Sequence, residues 1–226
     1  ATIQETYDRI ISDLKEAYPL LPVKPQFKTR PSKPAAFGLL SRVLLTMGDY
    51  ETAKLYADSC LNLFSYLMDF NNPLSPDLVN VNSNTPFQRF NKEVIFHAVG
   101  QFPNLYLSEG LIASDLINSY SMDDLRRTAF FRTTTGGSRA KASYDGDNVP
   151  FAGIASDEIY LIRAECQARL GHVTEAMDDL NQLMIKRWKN NGTWLRFTAN
   201  TSTEAIKKIL TERRKELIFR GLRWTD

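Results

Sequence analysis

The sequence predicts a mostly all-α fold, built of helical hairpins with long loops and minor β structure. Three observations predict it: apolar residues recur at helical spacing, two pairs of helical segments are joined by a glycine turn, and prolines and asparagines collect between them. The chain has 226 residues, 43% of them hydrophobic, and this is enough apolar mass for one or two domains.

The first predicted helix covers residues 2–21. Its apolar residues recur at the spacing of an amphipathic helix. They are Tyr7, Ile10, Ile11, Leu14, Ala17, Tyr18 and Leu21. Residues 21–34 contain four prolines, each of which removes a backbone donor and restricts the residue before it. We therefore expect an extended connection after this helix.

A helical hairpin is predicted at residues 35–64. Pro34 suits a helix N-terminus, and residues 35–47 contain few helix breakers. Gly48 permits the left-handed turn that ends this helix, and a second helix is expected at residues 51–64.

The same pattern returns at residues 156–188. Ser156 or Asp157 can cap a helix that runs to Leu170, Gly171 turns the chain, and residues 174–188 are the predicted return helix. The offset between the two turn glycines, 171 minus 48, is 123 residues. The pairs superimposed by this offset are Gly48 with Gly171, Ala53 with Ala176, Ala57 with Leu180, and Cys60 with Leu183. Such hairpins resemble tetratricopeptide units, although about ninety residues separate them.

The sequence between the hairpins is irregular. Residues 71–91, rich in asparagine and serine with three prolines, are expected to be a long surface loop. Residues 93–99 fit a short strand, and residues 105–131 return to mostly helical spacing. Residues 133–148 contain three glycines and are expected to form an exposed loop or a pair of β-turns.

No catalytic or metal-binding motif with specific spacing is present. The chain lacks G-x-S-x-G, G-x-x-x-x-G-K-[ST], H-E-x-x-H and C-x-x-C. Two cysteines and two histidines are too few for a disulfide framework or a zinc site, so no catalytic residue, metal or cofactor is predicted. We expect His97 to be a structural histidine, and Cys60 and Cys166 to be buried small hydrophobic residues, with a disulfide between the two as the alternative.

Charge and hydropathy exclude two further classes of protein. Lysine and arginine number 28 against 26 acidic residues, and this balance does not favour a nucleic-acid partner. No apolar run approaches the roughly 18 residues of a membrane-spanning helix. One tight charged cluster is interpreted as a solvated face or a local ion pair rather than as a site. Its members are Asp123, Asp124, Arg126 and Arg127.

Aromatic residues in or beside the irregular segments are the candidate ligand contacts. Exposed aromatic faces on loops stack against sugar rings or peptide side chains. The alternative is that each ring anchors its own loop, which the usual burial of aromatic residues favours for any single one of them. The candidates are Phe87, Phe90, Phe102, Tyr106, Tyr144 and Trp194.

A final helix is predicted at residues 203–219, with Ser202 or Thr201 as its cap. Residues 209–226, ILTERRKELIFRGLRWTD, closely resemble the signature E-R-R-x-E-L-x-F-x-G-x-R-W-x-D of SusD/RagB proteins, which are surface nutrient-binding lipoproteins of Bacteroidetes. Residues 157–165, DEIYLIRAE, are similar to a second family helix, and residues 30–53 resemble its earlier hairpin. Asp124, Leu125 and Arg126 resemble the family's D-L-R step.

The resemblance implies a non-catalytic binding protein of the cell outer membrane, anchored there as a surface-exposed lipoprotein. The implied ligand is a glycan or oligosaccharide, with a peptide as the alternative, and the implied partner is a TonB-dependent transporter of the SusC type. Because family members are roughly twice as long, residues 1–226 are expected to be one helical domain of a fragment. That fragment would lack an N-terminal region with the lipid anchor and a C-terminal tail.

The signature is expected to be structural. Glu212 and Glu216 lie one turn apart on the last helix, and Gly221 permits a sharp exit from it. Buried carboxylates and arginines would tie this helix to the hairpins. The residues assigned to this role are Glu212, Arg213, Glu216, Gly221, Arg223 and Trp224.

Two other functions compete with ligand binding. A helical-repeat adaptor could bind proteins through a concave face, although the separation of the hairpins in sequence argues against a continuous repeat stack. An enzyme is disfavoured by the missing catalytic motifs.

Overall fold

The computed structural model describes residues 2–100 and 110–222 and confirms a mainly helical fold with a few short strands. The helices are α1 (Ile3–Ala17), α2 (Lys33–Met47), α3 (Tyr50–Leu63), α4 (Ser114–Asn118), α5 (Leu125–Phe130), α6 (Ser156–Arg169), α7 (Val173–Met184) and α8 (Ser202–Glu216). The strands are β1 (Val94–Phe96), β2 (Phe131–Thr134), β3 (Gly137–Ala140) and β4 (Ile154–Ala155). Within the described ranges, no helix is both long and apolar enough to cross a membrane.

The first predicted hairpin is confirmed as α2 and α3. The Ser32 hydroxyl caps α2 by accepting a hydrogen bond from the Ala35 N–H at 3.3 Å. Gly48 ends the helix in the left-handed conformation, with φ of 79°. Ala53 and Ala57 on α3 are fully buried, so the small side chains let the two helices approach closely.

The second hairpin is confirmed as α6 and α7, turned by Gly171 at φ of 90°. Ala176, Leu180 and Leu183 on α7 are fully buried, as are the residues that the sequence offset pairs with them. Helix α3 packs on α6, so the two hairpins adjoin in space. The long segment between them is therefore an insertion in a stack of helical hairpins. In the sequence, the two hairpins appear only as separated copies.

Two details of the second hairpin differ from prediction. Ala155 occupies the N-cap of α6 without a side-chain cap, because the Ser156 hydroxyl donates to the Tyr66 carbonyl and Asp157 binds Arg220. Helix α7 ends at Met184, four residues early, and the chain then turns so that Arg187 enters the core.

The irregular segment after α3 is not simply a surface loop. Val79 and Phe87 are buried, and they belong to a second core that includes Phe70, Phe130 and Phe151. Large rings give this segment enough apolar area to bury without regular structure, which is why its polar composition misled the prediction.

The middle of the chain contains short antiparallel strands. The expected strand is present as β1, which pairs with β4, and β2 and β3 form a hairpin in the segment where β-turns were expected. The predicted long helical stretch is reduced to α4 and α5 in the part of it that the structure describes.

Candidate functional site

Helix α8 carries the C-terminal signature and begins and ends with clear local signals. The Thr201 hydroxyl caps it by accepting from the Glu204 N–H at 3.2 Å. The helix stops at Glu216, after which Phe219 and Gly221 take left-handed φ values of 60° and 74°. This turn directs Arg220 back into the protein, where it is 5% exposed.

Arg126 joins α5 to α8 and is completely buried. Its guanidinium donates to both carboxylate oxygens of Asp124, at 2.9 and 2.7 Å. It also donates to Glu216 at 3.1 Å and to Glu212. Asp124 and Arg126 are therefore not a solvated face but form the predicted local ion pair, which is buried where the capping turn of α5 faces the inner side of α8.

Arg187 continues this chain of charges toward the middle segment. It donates from Nε to Glu216 at 2.8 Å and from Nη2 to Glu93 at 2.8 Å. Its remaining terminal nitrogen donates to the Met68 carbonyl at 2.7 Å, and Glu93 in turn accepts the hydroxyl of Tyr144. One arginine thus fixes three segments that are far apart in sequence.

Arg220 completes the arrangement at the end of the signature. It binds Asp157 of α6 through two hydrogen bonds, at 2.9 and 2.5 Å. Its guanidinium carbon also lies 3.7 Å from the ring centroid of Tyr144, at cation–π distance. The final turn is therefore tied to α6 and to the loop that follows β3.

Within residues 2–100 and 110–222, these side chains and Lys215 form a buried ion network of four cations and five carboxylates. The cations are Arg126, Arg187, Lys215 and Arg220, and the carboxylates are Asp124, Glu212, Glu216, Glu93 and Asp157. Burial raises the pKa of Glu93 to about 7, against the opposing charge of Arg187. Burial by itself would raise the pKa of Glu216. The positive charges of Arg187 and Arg126 have the larger effect and lower the pKa to about 2.

Stability should depend on pH through Glu93. Its pKa of about 7 in the folded protein lies above its ordinary value of 4.5, so folding takes up a proton between these pH values. The stabilisation is fully present below pH 4.5 and is lost as the pH rises through 7. We expect urea denaturation of the full-length protein to give a free energy of unfolding that falls across this window, and Glu93→Gln to flatten the fall. An unchanged slope in the variant would contradict the assignment.

The buried ion network has the character of a structural support rather than of a ligand site. A cleft beside it, lined by Tyr144, Glu216, Phe219 and Arg220, has a volume of about 20 Å³. That is room for a water molecule and not for a sugar ring. The structural role expected for Glu212, Arg213 and Glu216 agrees with their burial on α8 and stays a prediction for mutation to test. Arg223 and Trp224 lie outside the described residues.

Two of the aromatic candidates for ligand contact are core residues. Phe87 and Tyr144 are 4% and 7% exposed, and their ring centroids lie 5.6 Å apart. The prediction of ligand contact is corrected for both, because rings buried in this way anchor their loops to the second core. Phe102 and Tyr106 lie outside the described residues.

Phe90 remains at the surface. Its side chain is 41% exposed, and its φ of 58° is rarely adopted by a bulky residue. The ring rests edge-on against buried His97 at 4.7 Å, and His97 Nε2 lies 2.5 Å from Asp145. The burial of His97 and its contact with Asp145 agree with the structural role predicted for it. An exposed ring held in a strained backbone conformation is a feature of ligand-binding surfaces.

Trp194 lies in the connection between α7 and α8 and is half-buried. Its ring meets that of Trp188 at 5.4 Å with an angle of 61°, and that of Phe197 at 5.7 Å. Sequence reasoning missed Trp188, because it was assigned to the end of a helix. The signal that could have found it is the glycine and asparagine turn directly after it, which places both tryptophans on one loop.

The described residues include two cysteines and no cluster of side chains suited to a metal ion. Cys60 and Cys166 are free and buried, and burial raises the pKa of each thiol to about 12. Burial and the raised pKa both disfavour the reactive thiolate form at neutral pH. Residues 2–100 and 110–222 contain no group of three or more His, Cys, Asp or Glu side chains placed to hold a metal ion.

Two protein-family models match this chain. Residues 1–45 match a SusD-like family described as starch-binding and associating with the outer membrane. Residues 155–226, which contain α6, α7 and α8, match the SusD family itself. A search of curated proteins returned no match.

Solved structures resemble the whole chain. A SusD-like carbohydrate-binding protein from Bacteroides vulgatus is 26% identical, with a TM-score of 0.75, over 100% of this chain and 51% of that one. A SusD-like protein from Bacteroides fragilis is 20% identical, with a TM-score of 0.76, over 100% and 60%. Surface glycan-binding protein A from Bacteroides uniformis is 16% identical, with a TM-score of 0.70, over 100% and 57%. The chain thus spans about half the length of these structures.

Proposed function

Since this chain belongs to the SusD/RagB family, we propose that it is part of a non-catalytic protein that binds a glycan or oligosaccharide at the bacterial surface. The observation that carries the proposal is the similarity over the full chain to a carbohydrate-binding protein at 26% identity. The glycan-binding protein from Bacteroides uniformis supports the same class of ligand through a shared fold.

The described surface is compatible with a shallow binding site. Phe90 and Trp194 present aromatic rings from irregular segments that are anchored to a rigid helical scaffold. Binding residues on loops that a scaffold positions are the usual arrangement for recognition. The strained backbone at Phe90 adds an independent reason to place a ligand contact there.

The proposal extends to location and partner. One matching family is described as associating with the outer membrane. We propose that the protein is a surface-exposed lipoprotein of that membrane and delivers its ligand to a SusC-like TonB-dependent transporter. Affinity purification of the full-length protein from outer membranes should retrieve such a transporter. Preparations that contain the protein and no transporter would contradict the partner.

Ligand binding without hydrolysis is tested by affinity electrophoresis. We expect gels that contain soluble starch, xylan or mixed-linkage β-glucan to retard the full-length protein in at least one case, with no shorter oligosaccharides released. Phe90→Ala should weaken this retardation several-fold, about 1 kcal/mol of binding free energy. Phe27→Ala is the matched control, because Phe27 is a 59% exposed aromatic residue outside the candidate set. Equal retardation of both variants would exclude Phe90 as a contact.

A further inference from the structure

We propose that Trp188 and Trp194, together with Asp123 and Asn191, form a subsite for one sugar ring of an oligosaccharide. The inference rests on the proposed function and assigns part of its ligand contact to particular side chains. We call these four residues the tryptophan surface. It lies where the connection between α7 and α8 meets the turn before α5.

The two indoles supply the apolar part of the tryptophan surface. Both side chains are half-buried, so part of each indole reaches solvent. Their centroids lie 5.4 Å apart at an angle of 61°, an edge-to-face pair. Two rings in this relation form a corner, and the C–H face of a sugar ring can stack on one wall of it.

The polar part of the tryptophan surface consists of side chains that are held by hydrogen bonds and can still bind a hydroxyl group of a ligand. Asp123 accepts from Thr193 at 2.9 Å, from Asn191 at 3.2 Å and from Lys189 at 3.4 Å. A carboxylate has about four acceptor positions, so capacity for a ligand hydroxyl remains. The hydrogen bond from Thr193 lowers the pKa of Asp123, which favours the charged form of the carboxylate as a hydrogen-bond acceptor. Within the described part of the chain, one amide N–H of Asn191 is also uncommitted.

The connection that carries the indoles is tied to the rest of the protein by hydrogen bonds. The Asn181 side chain exchanges two hydrogen bonds with the backbone of Phe197, at 2.8 and 2.7 Å. The Asn71 amide donates to the Trp188 carbonyl at 2.8 Å and accepts the Asn190 N–H at 3.0 Å. Because the segment is already ordered, little conformational entropy is lost when a ligand binds.

The chemistry of the tryptophan surface favours a neutral, hydroxyl-rich ligand. Asp123 and Lys189 offset each other's charge, so the surface has no strong attraction for a polyanion. Hydrogen-bonding side chains lie beside the indole pair: the Trp188 indole N–H donates to Thr193 at 3.2 Å, and Asp123 accepts from Asn191 and Thr193. Rings framed by placed donors and acceptors are suited to saccharides, whose faces are apolar and whose edges are polar.

The test compares single variants of the full-length protein in affinity gels of soluble starch, xylan and mixed-linkage β-glucan. Trp188→Ala and Trp194→Ala should each weaken the retention of the wild-type protein about 10-fold, and Asn191→Ala several-fold. Leu195→Ala is the control, because Leu195 is 83% exposed on the same connection and should leave retention unchanged. Thermal denaturation confirms that each variant is folded, and Asn191→Ala is informative even if Trp194→Ala is not folded.

The outcomes separate the subsite from the proposed function. If the gels retain the wild-type protein and the Trp188, Trp194 and Asn191 variants equally, the tryptophan surface is not a subsite. The proposed function is unaffected by that result. A wild-type protein that no gel retards overturns both. Variants that keep polysaccharide retention but lose the transporter in affinity purification show a protein-docking face, which also overturns the subsite.

Discussion

Glu216→Gln should destabilise the folded protein by about 3–5 kcal/mol, the range for breaking a buried ion pair by removing one partner. Glu216 is 1% exposed and accepts hydrogen bonds from Arg126 at 3.1 Å and from Arg187 at 2.8 Å. The substitution keeps the shape of the side chain but leaves two buried guanidinium groups without the charge between them. Urea denaturation of the full-length protein measures the change.

A surface ion pair provides the matched control for Glu216→Gln. Asp178 pairs with Arg196 at 2.7 Å, and its side chain is 60% exposed. Asp178→Asn should cause no resolvable change, because solvent screens such pairs. At temperatures where Glu216→Gln remains folded, it should also keep the wild-type polysaccharide retention, since Glu216 is buried and outside the proposed ligand contacts. Equal stability of the two variants would contradict the structural role of the signature.

Gly146→Ala is expected to cost about 2–5 kcal/mol, because two penalties coincide at one position. Gly146 has φ of 78°, in the left-handed region that disfavours a side chain. A Cβ added there would lie 2.1 Å from the carbonyl oxygen of Phe87, so the backbone must move. That movement would disturb the contact between Phe87 and Tyr144 in the second core. The measurement is again the free energy of unfolding in urea.

Gly171→Ala separates the two penalties. Gly171 also has a left-handed φ, of 90°, but nothing lies within 4 Å of the added Cβ. Only the conformational cost of about 1–2 kcal/mol is expected there. If Gly146→Ala lowers the free energy of unfolding no more than Gly171→Ala does, the loop that contains Phe87 moves aside without a free-energy penalty.

The two hairpins were predictable because their signals are local. A glycine in the left-handed conformation, a capping residue and a 3.6-residue period each depend on neighbours within about one turn of helix. Gly48, Gly171, Ala53 and Ala176 all occupy the positions that the sequence assigned to them. The end of α7 was misplaced, because residues 185–188 keep helical composition while Arg187 is drawn into tertiary contacts.

The candidate contacts were only partly predictable, since burial on a loop has no periodic signal. Phe87 and Phe90 are three residues apart in the same polar segment, yet one is 4% exposed and the other 41%. The local amino-acid composition gives no basis for predicting different exposures for the two residues. The difference comes from the second core, to which Phe70, Phe130 and Tyr144 contribute from distant parts of the chain.

By itself, the sequence determined the helical class, the two glycine-turned hairpins and the signature that identifies the family. Only the tertiary structure decided which charges are buried. Arg126 meets Glu212 across 86 residues of sequence, and Arg187 meets Glu93 across 94. The physical reason is that an unpaired charge is costly to bury, and its burial is tolerated only when an opposite charge lies beside it. Partners this far apart in sequence leave no pattern in either local segment.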